Sequence, residues 1–171
     1  AGEELVRHGH TRIVHVTGEP NKLSVQDRLD GFESALTAAG IAFDREQQLE
    51  YGAFNRRSGG YNATQRLLRR SWEDLPTALC AGSATMLMGT FEAILDLGLR
   101  IPDDISLIGI DNVDTAMYTT PSLSLVTTSC EEIAMVTVAR LIELVENGSV
   151  TPTDFVIHDV TLARRNSVRQ I

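Results

Sequence analysis

The chain has 171 residues, 43% of them hydrophobic, which fits one folded domain with a sizeable core and excludes a disordered segment. A formal net charge of −8 makes its surface a poor partner for nucleic-acid phosphates, which need clustered Lys and Arg, so any DNA contact is expected from residues outside this chain. Cys80 and Cys130 show no CxxC spacing and no His at ligand spacing; metal, cofactor and disulfide framework are all unsignalled, and both cysteines are expected as buried, reduced thiols.

The opening residues AGEELVRHGH read as the last turns of a helix, with acids early and Arg7, His8 and Gly9 late, matching the helix dipole and a glycine stop. The chain is therefore expected to begin inside an element of a longer protein, a short complete helix being the alternative. No secretory signal pattern or long apolar run is present in it, which makes the cytoplasm the default location and gives no membrane partner.

Residues 12–18 (RIVHVTG) are β-branched, close on glycine and predict a strand. Residues 25–39 place Val25, Leu29, Phe32, Leu36 and Ala39 at helical spacing before Gly40, which predicts a helix. There follow a weaker strand at QQLEYG, a helix over residues 59–75, a strand at PTALCAG, a helix over residues 84–97 ended by Gly98, and strands at DISLIGI and LSLVTT. The longest helix, SCEEIAMVTVARLIELVENG, has Ser129 at the cap with Glu132 three residues on, and Gly148 as its stop. Two short strand-like runs around FVIHDVTLAR end the chain.

Strand alternating with helix at this spacing predicts an α/β fold, a mainly parallel sheet with helices on both faces. Such sheets bind ligands outside the carboxyl ends of their strands. Asp111 stands there, directly after an apolar strand, although an unpaired buried carboxylate costs several kcal/mol, on the order of mutational estimates. It serves either as an acceptor for a ligand or as the N-cap of a helix at NVDTAMY.

Taken together, LVRHGHTRIVHVTG, RLDGFESALTAAGI, PTALCA, MGTFEAILDLGLRIPDDISLIGIDN, YTTPSLSLV and LARRNS resemble, in order and spacing, the effector-binding core of LacI/GalR-family transcriptional regulators. The resemblance runs from Glu4 to about Ser167. It implies a periplasmic-binding-protein-like (type I) C-terminal lobe over residues 1–122, with residues 1–10 as the tail of a crossover helix. Residues 123–150 would be a strand-helix segment of an otherwise missing N-terminal lobe, and residues 151–171 a return to the first. It implies a small-molecule effector, sugar-like or a related metabolite, and a homodimer through this lobe, near residues 86–90 and the DTAMYTT loop, with gap-filling core as the alternative for Met86, Met88 and Met117. Operator DNA would be held only by an absent N-terminal domain.

Carried over by position, Arg28 matches the family's cleft arginine, whose rigid fork of donors suits paired oxygens, and Asp111 matches the aspartate that accepts from the ligand. Lys22 and Ser24 fall where members contribute polar contacts, with a merely solvated loop as the alternative. Phe54 falls near a stacking aromatic, in a stretch, FNRRSGGY, one residue longer than usual; core packing is its alternative. Where members show Asn-Asp after the third strand, the Asn binding ligand and the Asp capping the next helix, this chain has Ser83-Ala84; Ser83 can still cap or donate one hydrogen bond, and Thr128 stands where some members place a glutamine, departures that point away from a typical hexose. Ser83 lacks the G-x-S-x-G flanks of a nucleophile elbow, so no catalytic residue is expected and the enzyme reading is weak. His15 is expected to be a satisfied sheet residue. The remaining alternative is a periplasmic-type solute-binding protein of the same fold.

Overall fold

The computed structural model describes residues 1–70, 75–148 and 159–171. Among them β1 (Ile13–Thr17), β2 (Leu49–Tyr51), β3 (Ala78–Ala81), β4 (Ser106–Ile110), β5 (Ser124–Thr127) and β6 (Thr161–Ala163) form one sheet in the order β2-β1-β3-β4-β5-β6. Every neighbouring pair is parallel except β5 and β6. The mainly parallel α/β architecture is as the alternation predicts.

The strands read as continuous apolar runs because both faces are covered. On one face Val14, Val16, Leu79, Ala81 and Leu107 pack with Ala63 and Leu67 of α4 (Arg57–Leu68) and Met86, Leu87 and Ile94 of α5 (Ala84–Asp96). On the other, Ile13, Ala78, Cys80 and Ile108 meet Leu5 of α1 (Gly2–Arg7) and Phe32 and Leu36 of α2 (Leu23–Ala38). A single turn, α3 (Arg45–Gln48), capped by the Asp44 side chain, precedes β2; four residues carry too little periodicity to be seen in the sequence.

Several expectations change. The strand at residues 124–127 lies inside this sheet, with Ile108, Gly109 and Ile110 in register with Ser124, Leu125 and Val126; burial of Leu123 and Leu125 holds it there. What leaves the sheet is α6 (Cys130–Asn147), in which no residue is buried and Met135, Val138, Leu141, Ile142 and Val145 are exposed. Its ends follow the sequence: Ser129 Oγ accepts from the Glu132 amide at 3.2 Å, and Gly148 takes φ +70°. Cys130, on its first turn, is exposed rather than buried, whereas Cys80 is fully buried and its thiol is pushed up to about 12 by burial. His15 is fully buried on β1, stacked on Phe32 with centroids 4.8 Å apart, and neither ring nitrogen has a hydrogen-bond partner. It is therefore not a satisfied sheet histidine: backbone pairing uses the strand's own groups, and its ring faces apolar neighbours. His158, the first of the two terminal strand-like runs and the end of the helix expected over residues 59–75 lie wholly or partly outside the described residues.

The LARRNS segment ties the C-terminus down. Arg164 pairs with the buried Glu4 of α1, whose carboxyl is held below its ordinary range by that hydrogen bond. Buried Ser167 accepts from the Ser124 amide at 2.8 Å and donates to the Leu107 carbonyl at 2.5 Å, linking β4 and β5. Ser167→Ala strands both backbone groups and is expected to cost roughly 1–3 kcal/mol in urea unfolding; an unchanged midpoint would mean that other groups satisfy them. His10, bonded to Thr77 and the Arg169 carbonyl, is a structural member of the same seam.

Candidate functional site

The carboxyl ends of the parallel strands carry the polar residues singled out above. The inward stripe of α2 is Val25, Leu29, Phe32 and Leu36. Arg28 flanks that stripe, one turn before Phe32, and its long side chain reaches across the sheet edge. Its Nη1 donates to the Gly82 carbonyl after β3 at 2.8 Å, while Nη2 lies 3.6 Å from Asp111 Oδ2 after β4.

Asp111 keeps its amide in the sheet, donating to the Val126 carbonyl at 2.7 Å, and its Oδ1 accepts from the Asn112 amide at 3.0 Å. It does not cap the following 3-10 turn (Asp114–Met117), whose N-cap position is Val113. The carboxylate is 48% exposed and the guanidinium 33% exposed. Asp111 thus meets a cation and solvent instead of being buried alone. A half-exposed pair at this distance contributes little stability, so both groups are open to a third partner.

Backbone strain gathers at the same edge. Phe54 at φ +53° and Asp111 at φ +90° are the non-glycine residues with positive φ among those described. Such conformations cost about 1–3 kcal/mol each and concentrate at ligand sites. Phe54 is 60% exposed, so it is not core, and the Arg56 guanidinium carbon sits 5.3 Å from its ring centroid.

Ser83 takes the capping role that its position allows. It is nearly fully buried as the N-cap of α5, accepting from the Met86 amide at 3.4 Å and donating to Asn55 Oδ1 at 2.5 Å. Ser83 therefore caps α5, and Gly82 stands before it at the end of β3. No side chain fits there without displacement, because a Cβ on Gly82 would lie 2.7 Å from Thr17 Oγ1. The hydroxyl of Ser83 has a carboxamide, the Thr85 hydroxyl and an amide as neighbours, none of them a base.

Lys22, at the N-cap of α2, and Ser24 are exposed on the same edge, and Thr128 is half-buried after β5. None of the three bonds to Arg28 or Asp111 among the described residues. Asn55 escaped the sequence: nothing in FNRRSGGY marks it, and only its contacts with Ser83 and Thr85 bring it to the end of β3. No group of three or more His, Cys, Asp or Glu able to hold a metal occurs among the described residues.

Residues 3–168 match the family model of the periplasmic binding protein-like domain. The chain belongs to that family. This periplasmic binding protein-like domain is 31% identical over 176 aligned residues to an HTH-type transcriptional repressor PurR of Glaesserella parasuis, covering 100% of the chain and 51% of that protein. Its structure superimposes on that of the Escherichia coli transcriptional repressor ascG with a TM-score of 0.83 at 30% identity, covering 98% of the chain and 59% of that one. It also superimposes on a LacI-family regulator from Enterococcus faecium with bound ribose, with a TM-score of 0.85 at 26% identity, covering 99% and 61%. The domain spans about half the length of the curated relatives it matches. These matches bear out the resemblance to the LacI/GalR effector-binding core that the motifs carry.

Proposed function

We propose that this domain is the effector-binding and dimerisation part of a LacI/GalR-type transcriptional regulator that senses a small metabolite in the cytoplasm. The observation that carries the reading is the meeting of Arg28 and Asp111 across the strand ends, half-exposed and separated by 3.6 Å. Arg28 offers donors and Asp111 acceptors, so a ligand with hydroxyl, carbonyl or ring-nitrogen groups can replace each one's contact with the other. Phe54 would stack on its ring, with Lys22, Ser24 and Thr128 at the rim and Ser83 behind as support.

The second wall of the pocket would come from the half of the core that precedes this chain in its relatives. The exposed apolar side of α6 fits packing there, which leaves residues 1–127 and the C-terminal segment as one lobe and α6 as a crossing element. Effector between the lobes would favour one closure angle and thereby change the spacing of DNA-binding heads in a dimer. The dimer contact would use the exposed Met117 and Tyr118. Residues 86–90 contribute less than the sequence implies, because Met86, Leu87, Gly89 and Thr90 are buried against α4. Ser83 without a base favours binding over catalysis, and the repressor relatives favour a regulator over a transport protein.

The test is a mobility-shift assay of the full-length protein on DNA from its own promoter region. A sugar, polyol or nucleobase that changes the retarded fraction in the wild type but not in Asp111→Ala supports the reading. An effect that persists in that variant refutes the assigned pocket, and absence of DNA binding refutes the regulator.

A further inference from the structure

We propose that Asn55 supplies the carboxamide with which this site reads its effector, and that the group it reads is an oxyanion, a carboxylate or a phosphate. The inference rests on the effector site proposed above and deepens it.

Asn55 lies in the loop between β2 and α4 and is clamped over the ends of β1 and β3. Its Oδ1 accepts from Ser83 Oγ at 2.5 Å and its carbonyl accepts from Thr85 Oγ1 at 2.9 Å. Its Cβ is 3.5 Å from the point where a side chain on Gly18 would begin. Gly82 leaves the end of β3 without a side chain, and the carboxamide meets the next residue, Ser83.

Fixing Oδ1 on the buried hydroxyl fixes the planar amide. Its Nδ2 then points away from Ser83, and it has no partner among the described residues. The free end of an amide held this way presents N–H donors, so a ligand atom that meets it there is an acceptor.

The charges at this corner narrow the class. Arg28 and the strand-end segments 18–22, 52–56, 82–83, 111–112 and 128–129 together hold Lys22, Arg28 and Arg56 against Glu19 and Asp111. Neither Lys22 nor Arg56 forms an ion pair among the described residues; Arg56 instead lies over the Phe54 ring. With Arg28 facing Asp111, Lys22 and Arg56 stand against Glu19 alone in these segments, and that local excess of positive charge in a chain of net charge −8 favours an acceptor that carries negative charge.

The experiment is a thermal-shift titration of the full-length protein with D-glucose, D-glucuronate and D-glucose 6-phosphate, run on wild type, Asn55→Asp, Arg28→Ala and Asp111→Ala. The expected result is that at least one of the anions binds more tightly than glucose. Asn55→Asp, which turns the donor into a charged acceptor, should then weaken that anion at least about tenfold and leave the unliganded midpoint in place. Glucose matching both anions, or no response to either anion, overturns the oxyanion assignment. Anion binding lost in Arg28→Ala and Asp111→Ala but unchanged in Asn55→Asp overturns the role of Asn55 and leaves the site standing. Binding that survives all three substitutions overturns both.

Discussion

Gly89→Ala is expected to destabilise the domain by more than about 3 kcal/mol in urea unfolding, beyond the usual range for overpacking. A Cβ at Gly89 would stand 1.9 Å from the Arg57 carbonyl oxygen, 2.7 Å from the Tyr61 nitrogen and 2.9 Å from the Arg57 carbonyl carbon. All three are backbone atoms of α4, so no side chain can swing aside, and the helices would have to part. Gly60 meets the same seam from the other helix, with the Met86 carbonyl oxygen 2.4 Å from its own absent Cβ. Parting α4 and α5 would open the contacts of Ala63, Leu67, Met86, Leu87 and Ile94 and move the α5 N-terminus that carries Ser83. Such a loss is a large part of the roughly 5–15 kcal/mol that holds a domain folded. Gly31→Ala is the control, because nothing lies within 4 Å of its Cβ position on α2. It should stabilise by about 0.5–1 kcal/mol. Equal effects of the two substitutions would contradict the packing described.

His15→Leu is expected to stabilise the domain by roughly 1–3 kcal/mol at neutral pH, because it removes a buried polar ring that has no partner. The pH dependence is the sharper signature. Burial first, and the positive charge of Arg28 second, lower the His15 pKa to about 4. An unfolded histidine takes up its proton near pH 6.5, whereas the folded ring stays neutral down to about 4. Between those values the unfolded state binds the extra proton, so the wild type loses stability as pH falls. The slope is about 1.4 kcal/mol per pH unit and amounts to roughly 3 kcal/mol by pH 4, while above pH 6.5 the group contributes no slope. Unfolding curves at pH 7 and pH 4.5 should therefore differ less in His15→Leu than in the wild type. An unchanged difference, with the variant weaker at pH 7, would mean that the ring has a buried partner such as water.

How far the sequence carried the fold depends on how local each cause is. β1, β3 and β4 are short apolar runs in a setting with both faces covered, and α2, α5 and α6 carry helical spacing with caps or glycine stops that act within one turn. α3 and the 3-10 turn at Asp114–Met117 are single turns with no periodicity to read. The placement of β5 in this sheet rests on pairing with β4 and β6, a long-range fact that its own residues do not announce. The same division holds at the site. The residue types and positions of Arg28 and Asp111 mark them, and the structure brings them within 3.6 Å of each other. Ser83 reads from the sequence as a ligand contact or a cap, and its bond to the Met86 amide makes it the cap, while Asn55 becomes visible only when the β2–α4 loop is folded onto β3.

The central claim is that Arg28 and Asp111 jointly hold a small-molecule effector at the strand ends. Its most direct test is a thermal-shift screen of the full-length protein against sugars, sugar phosphates, polyols, nucleobases and nucleosides, repeated on Arg28→Ala and Asp111→Ala. The predicted result is a compound that raises the unfolding midpoint of the wild type and of neither variant, with both variants folded and near the wild-type midpoint when unliganded. A compound that raises the midpoint of all three proteins equally would contradict the claim and place the effector elsewhere on the domain.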